Sequence, residues 1–350
     1  MKYGFWLPIF GGWLRNVEDE NMPATFEYAK SVIQSGEKWG FDVTLIAELY
    51  LNDIKGPDQD SLEAWTTAAA LAAVTERIEI LTAIRPGYHN PAVIAKMAAN
   101  IDQICNGRFS LNIVSAWWAE EARQYGGIFT EHDERYDRTK EFVDIIKGLW
   151  TEDTFSYNGK YYTIENAKLS PKPVQRPYPL LYAGGESEKG KNVIVNGTDA
   201  YVMHGGTPEE IEVKVADMKL RRKNAGKPPF ETFGMAAYVI CRDTPEEAQA
   251  ELDRITDIKD SSGYAGYDDF VSKSHLEQQV KLYDYSVSNR GLRPNLIGTP
   301  EQIADQILAF ERVGVDLLIL QFSPQLEEMQ RFSEQVMPIV EKKRAQAITL

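Results

Sequence analysis

A chain of 350 residues is long for one small domain but ordinary for one large α/β barrel, and 43% hydrophobic with 11% aromatic residues is enough apolar material for a full core, which excludes a disordered chain or a disulfide-stapled miniprotein. A formal charge of −14 repels phosphodiester backbones and anionic lipid, both of which need clustered Lys and Arg, so neither nucleic acid nor a membrane is an expected partner. Cys105 and Cys241 sit in apolar surroundings without CxxC spacing and read as buried free thiols, as suits a reducing cytoplasm.

Along the chain, short apolar runs alternate with amphipathic stretches of helical period, the pattern of βαβ units around a parallel sheet buried on both faces. Met1 leads straight into the first run, without the apolar length of a secretory signal, and no run approaches the roughly 18 apolar residues of a membrane span. Expected strands are Lys2 to Leu7, Asp42 to Ala47, Ile78 to Ala83, Phe109 to Val114, Leu180 to Ala183, Ala200 to Met203, Gly234 to Cys241 and Leu317 to Gln321. Eight such units predict one (β/α)8 TIM barrel spanning 1–350. Thr207-Pro208-Glu209-Glu210, Thr244-Pro245-Glu246-Glu247 and Thr299-Pro300-Glu301-Gln302 each offer a hydroxyl N-cap, proline at the first helical position and a capping-box residue. Two insertions interrupt the rhythm: a hairpin over about 154–165 around Asn158-Gly159, and a polar stretch over about 257–295 that reads as a lid.

The four histidines are scattered, and no HExxH pair, Walker loop, Gly-x-Ser-x-Gly elbow or GxGxxG is present, so metal catalysis and a nucleotide-fold dehydrogenase are disfavoured. In a (β/α)8 barrel the site lies at the carboxyl ends of the strands. That rule collects Phe10, Glu48, Arg85, Asn112, Ser115, Trp117, Trp118, Gly184-Gly185-Glu186-Ser187, His204 and Ser323. Ala183 to Ser187 closes a strand and opens a helix, and is compatible with a phosphate held at a helix N-terminus or with a plain turn capped by serine. Arg135-Tyr136, near the start of the next long helix, can bring a guanidinium and a phenol to such a phosphate, although a solvated helix end looks similar. Trp117-Trp118 suits either a flat heteroaromatic ligand or ordinary packing, and Glu120-Glu121 suits a helix N-terminus with or without a ligand.

In succession, Ala83-Ile84-Arg85-Pro86-Gly87, Asn106 to Ser115, His132 to Tyr136 and Tyr182-Ala183-Gly184-Gly185 resemble the luciferase-like flavin monooxygenases, closest to the branch of alkanesulfonate, methanesulfonate and dimethyl sulfone monooxygenases. The resemblance runs from Lys2 to about Val340. It implies a barrel, reduced FMN delivered by a separate NAD(P)H:FMN reductase, O2 as co-substrate, attack of a flavin peroxide on a small organosulfur compound with C–S cleavage, and a homodimer or homotetramer. It places Asn112, Glu121, Arg135, Tyr136, Gly185 and Ser187 at flavin-contacting positions, with Glu48 and Leu49 beside the ring. The active-site cysteine of alkanesulfonate monooxygenases falls at Ser61, which keeps a hydrogen-bond donor there; an N-cap for a helix from Ser61 to Val74 is the competing reading. The Arg-x-His of sulfonate-cleaving relatives corresponds to Ala236 and Tyr238, and their early histidine to Phe10, which leaves an apolar, aromatic pocket better matched to a neutral molecule. Ser61 and Tyr238 are thus candidate donors to the reacting oxygen, and Arg290 and Arg293 on the lid candidate sources of positive charge on closure. Other readings are a ring-opening oxygenase of a nitrogen heterocycle such as uracil, a deazaflavin-dependent dehydrogenase and a non-catalytic flavin-binding protein.

Overall fold

The computed structural model describes residues 1–115, 118–258, 262–273, 280–288 and 291–348; Trp117 and Arg290 lie outside them. Within these residues the strands are β1 (Lys2–Trp6), β2 (Val43–Ile46), β3 (Glu79–Ile84), β4 (Phe109–Ile113), β5 (Phe155–Asn158), β6 (Thr163–Ala167), β7 (Leu181–Ala183), β8 (Ala200–Met203), β9 (Thr232–Cys241), β10 (Leu296–Gly298) and β11 (Leu317–Gln321). Eight of them pair in parallel in the order β1, β2, β3, β4, β7, β8, β9, β11, and β11 returns to β1, closing the expected barrel with helices outside. Burial on both faces is why these strands read as continuous apolar runs instead of alternating ones; every residue of β2, β4, β9 and β11 is buried.

Pleating and register decide which side chains enter the lumen. Phe5 points outward, with its ring edge-to-face on Phe41 and against Gly36, so Gly4 and Trp6 point inward. The registers Trp6↔Leu45, Leu45↔Leu81 and Ala83↔Asn112 carry that inward face around the barrel to β4, so Leu45, Ala83 and Asn112 share the lumen with Trp6.

All three Thr-Pro-Glu-(Glu/Gln) motifs close as capping boxes, on the helices Pro208–Asn224, Pro245–Thr256 and Pro300–Arg312. The helix expected from Ser61 is a correction. It runs Ala64–Ala72 and is capped by Glu63, whose carboxylate accepts from the Trp65 and Thr66 N–H groups at 2.7 Å each; its full negative charge also suits the positive end of the helix dipole. Strand β10 was not expected. It lengthens the sheet beside the end of β9, Leu296↔Val239 to Gly298↔Cys241, after the polar 257–295 stretch.

Strands β5 and β6 form an antiparallel hairpin, in which Gly159 N–H donates to Tyr162 O at 3.0 Å. Phe155 of β5 packs on Gly148 of the helix His132–Thr151, where a Cβ would lie 2.0 Å from the ring. Between β9 and β10, a 3-10 turn Ser262–Tyr264, a helix Tyr267–Lys273 and a short helix Leu282–Tyr285 lie over the carboxyl-end mouth. Arg15, only 5% exposed, staples this covering to the loop after β1. Its Nε donates to Tyr285 O at 2.8 Å and its Nη1 to Gly263 O at 2.6 Å and to Asp53 O, while Nη2 pairs with Asp53 Oδ2 at 2.7 Å. The guanidinium lies 3.9 Å over the Tyr285 ring, and Leu14 and Val287 form an antiparallel bridge beside it. Burial opposes the charge on Arg15, but Asp53 and the Tyr285 phenol outweigh it, so its pKa is raised above the ordinary value.

Two outcomes are expected. Gly148→Ala destabilises by about 1–3 kcal/mol through overpacking against Phe155, although alanine is the better helix former by about 1 kcal/mol; an unchanged or raised denaturation midpoint contradicts this packing. Arg15→Met keeps the aliphatic stem but leaves Asp53 unpaired, costing about 3–5 kcal/mol. Limited proteolysis then cuts the 257–295 stretch faster, and an unaltered digestion pattern with unaltered melting removes Arg15 as the staple.

Candidate active site

Three βα connections meet in one buried ion network. Glu48 follows β2, Arg85 follows β3, and Glu121 lies on the helix Ala119–Tyr125 that follows β4. Arg85 N–H donates to Glu48 Oε2 at 2.7 Å, its Nε lies 3.5 Å from the same oxygen, and its Nη1 pairs with Glu121 Oε2. Glu121, fully buried, also accepts from Tyr50 N–H at 2.5 Å, Leu51 N–H at 3.3 Å and the Tyr88 hydroxyl at 3.1 Å. His89 Nε2 lies 2.6 Å from Glu48 Oε1. The Arg85 guanidinium lies 4.3 Å over the Tyr88 ring and 5.2 Å over that of Tyr50. Burial works against its charge, yet Glu121 and then Glu48 outweigh that penalty and raise its pKa.

Above the lumen this network borders a cavity whose walls include Trp6, Phe10, Trp13, Glu48, Arg85 and Asn112, roofed by Phe270, Tyr285 and Ser288. Three polar atoms of residues that line this cavity have no hydrogen-bond partner among the described residues: Asn112 Oδ1, Arg85 Nη2 and Trp6 Nε1. Buried polar atoms are rarely left unpaired, so these three offer a bound molecule hydrogen-bonding positions.

A second corner forms where β7 gives way to the helix Glu188–Gly197. Ser187 caps it, accepting from Gly190 N–H at 3.1 Å. The Tyr136 hydroxyl closes this turn so tightly that a Cβ on Gly185 or Gly190 would come within 2.9 and 2.8 Å of it. Burial pushes the Tyr136 phenol up, against the opposing hydrogen bond from Ser187 and the charge of Arg135. Arg135 stacks 4.5 Å over Phe129, spends Nη1 on Thr130 O at 2.7 Å and keeps a buried Nε without a partner among the described residues. Glycine backbone, a hydroxyl, a phenol and a guanidinium beside a helix N-terminus match the donor set of a phosphate cradle.

Of the expected site residues, Glu48, Glu121 and Asn112 come together at the mouth, and Arg135, Tyr136, Gly185 and Ser187 at this second corner. Ser61, Tyr238 and Arg293 do not line the cavity. Ser61 stands two residues ahead of Glu63, outside the helix. Tyr238, 1% exposed, is sealed under Gly291, whose carbonyl accepts its N–H at 2.7 Å; burial, then Glu20, lifts its phenol well above the ordinary value and keeps it neutral. Arg293 pairs with Glu210 at 2.9 Å, at the head of the helix Pro208–Asn224. Residues that sequence reasoning did not single out include Trp6, Trp13, Arg15, Asp53 and Tyr285 on the cavity: the last four lie on connections away from strand ends, and no local motif marks them.

Among the described residues, no group of three His, Cys, Asp or Glu could hold a metal ion, and no helix is long and apolar enough to cross a membrane. Residues 1–317 match the family of luciferase-like monooxygenases. The FMNH2-dependent dimethylsulfone monooxygenase of Pseudomonas putida is 34% identical over 368 aligned residues, covering 100% of this chain and 99% of that protein. The enzyme of the same name from Pseudomonas fluorescens (strain Pf0-1) is 33% identical over 99% of this chain and 96% of its own length. The crystal structure of DmoA from Hyphomicrobium sulfonivorans superposes with a TM-score of 0.76 at 17% identity, over 98% of this chain and 87% of that one, and so shares the fold. With a closed parallel barrel, a family match over residues 1–317 and relatives more than 30% identical along the full chain, the chain belongs to the luciferase-like monooxygenases.

Proposed function

We propose that this single-domain chain is an FMNH2-dependent monooxygenase of a small neutral organosulfur compound, dimethyl sulfone or a close analogue, with the C–S bond as the one cleaved. The observation that carries this reading is the pairing of a phosphate-type corner at Gly185, Ser187 and Tyr136 with a mouth cavity that holds unpartnered polar atoms between aromatic walls. The full-length relatives named for that reaction and substrate agree with it.

The residues fit the cofactor. Tyr136, Ser187, the backbone of Gly185 and the first turn of the helix Glu188–Gly197 would hold the phosphate, with Arg135 adding charge beside them. Asn112 Oδ1, unpartnered at the lumen's edge, would take a ring N–H, and Glu48 with Glu121 would border the ring through Arg85. Reduced FMN, when bound, supplies the electrons by which O2 is activated and one oxygen atom transferred. The protein's part is to orient and to exclude water, since the redox chemistry belongs to the cofactor. The covering held by Arg15 closes the mouth, and Trp6, Phe10 and Trp13 present flat apolar walls to the substrate.

We further propose a separate NAD(P)H:FMN reductase as the source of reduced flavin, and the cytoplasm as the setting, in keeping with two buried free cysteines. Val93, Met97 and Ile104 stand exposed on one side of the helix Pro91–Ile104, an apolar stripe that suits assembly into a homodimer or homotetramer.

Anaerobic titration with reduced FMN should show Tyr136→Phe and Ser187→Ala each weakening binding about 3- to 10-fold, as loss of one hydrogen bond predicts. Aerobic turnover with FMN, NADH and a flavin reductase should release oxygenated products from dimethyl sulfone. Tight flavin binding without product from any sulfone turns the assignment toward the heterocycle and deazaflavin chemistries. Met97→Glu should lower the mass seen by light scattering, and a monomeric wild type refutes the assembly.

A further inference from the structure

A sulfone and a sulfonate present similar tetrahedral sulfonyl groups and differ by one negative charge, so a pocket that separates them has to do so electrostatically. Among the described residues that line the cavity, the charged side chains are Arg15, Glu48, Asp53 and Arg85. Arg15 is paired with Asp53 at 2.7 Å. Arg85 stands between Glu48 and Glu121, carboxylates that are 1% and 0% exposed. Two carboxylates against one guanidinium leave no surplus positive charge at that wall, even with His89, whose Nε2 lies 2.6 Å from Glu48 Oε1, counted as a cation. Among the described residues, Arg85 Nη2 nevertheless has no hydrogen-bond partner, and Nε1 of Trp6, a residue lining the same cavity, has none either. Both are donors, buried and fixed: Arg85 is clamped by its two carboxylates and by the rings of Tyr88 and Tyr50, and Trp6 is anchored on β1. Unpaired donors without surplus charge suit a ligand that only accepts hydrogen bonds and carries no charge, which describes a sulfonyl group flanked by carbons.

Resting on the organosulfur reading above, we infer that Glu48 and Glu121 are specificity-determining residues: two carboxylates to one guanidinium, they outweigh the charge of Arg85 while leaving its Nη2, with Trp6 Nε1, as donors to a neutral sulfonyl oxygen, and so shut out sulfonates. Arg85 then serves as a hydrogen-bond donor, where an uncancelled guanidinium would be an anion receptor. Asp53 does the same for Arg15 at the rim.

The test measures binding of dimethyl sulfone and of methanesulfonate to the full chain by tryptophan fluorescence, since Trp6 and Trp13 line the cavity, with reductase-coupled turnover in parallel. Wild type is expected to bind the sulfone and to discriminate against methanesulfonate. Glu48→Gln, which keeps shape and removes charge, should raise the affinity for methanesulfonate relative to the sulfone by about tenfold or more. Asp53→Asn should move methanesulfonate the same way and decides the matter should Glu48→Gln fail to fold. Trp6→Phe should weaken the sulfone by about 3- to 10-fold, the loss of one donor. Equal binding of the two compounds by wild type, or an unchanged ratio in both carboxamide variants, overturns the inference. Selective sulfone binding without oxygenated product would overturn the proposed reaction and leave the charge cancellation standing; no binding of either compound by wild type overturns both.

Discussion

The mouth of the barrel depends on one buried ion network, Glu48–Arg85–Glu121. Placing three charges out of water is costly, and such a group is retained only when every member is paired and hydrogen-bonded. Here the pairing is spread over three successive βα connections, and Glu121 reaches back to the Tyr50 and Leu51 amides, so the loops after β2, β3 and β4 hold one another. None can move without stranding a charge in the others. That rigidity is what lets Asn112 and Trp6, on strands beneath, face a cavity of set shape.

Around this fixed point the mouth divides in two. On the β7 side, glycine backbone, Ser187 and Tyr136 form a corner suited to a phosphate, where a side chain on Gly185 or Gly190 would collide with the phenol. On the β1–β2 side, aromatic walls and the Arg15–Asp53 pair form a corner suited to something small and uncharged. Asn112 lies on the lumen between them. Two such corners on one mouth suit an enzyme whose part is to hold two reactants together and keep water away.

Much of this was legible before any coordinates. Eight buried strands declared themselves as apolar runs because parallel strands covered on both faces carry no polar alternation, and three helix starts declared themselves because Thr-Pro-Glu satisfies the orphan amides with local atoms. Where local signals compete, sequence reasoning went astray. Ser61 offered a hydroxyl for a helix start, but Glu63, adjoining the first turn, supplies a full negative charge to the same amides. Strand β10 escaped because three residues in a polar neighbourhood have no period of their own, and they become a strand only through the free edge of β9. Tyr238 sits at the inward register beside Gln321, as a site residue would, yet the Gly291 backbone closes over it.

By itself, then, the sequence determined the barrel, its strand boundaries to within a few residues, three helix starts, and the set of strand-end positions from which a site is drawn, because all of these follow from periodicity and from atoms near in the chain. Tertiary structure alone decided which of those positions share a cavity, that Glu121 is spent on Arg85 and two backbone amides, and that Arg15 bonds to Asp53, Gly263 and Tyr285. Those partners are 38, 248 and 270 residues away from Arg15. Charge pairing over such separations leaves no trace in local pattern, since it depends on where the closed barrel brings the chain and on which buried charges must find a counterion.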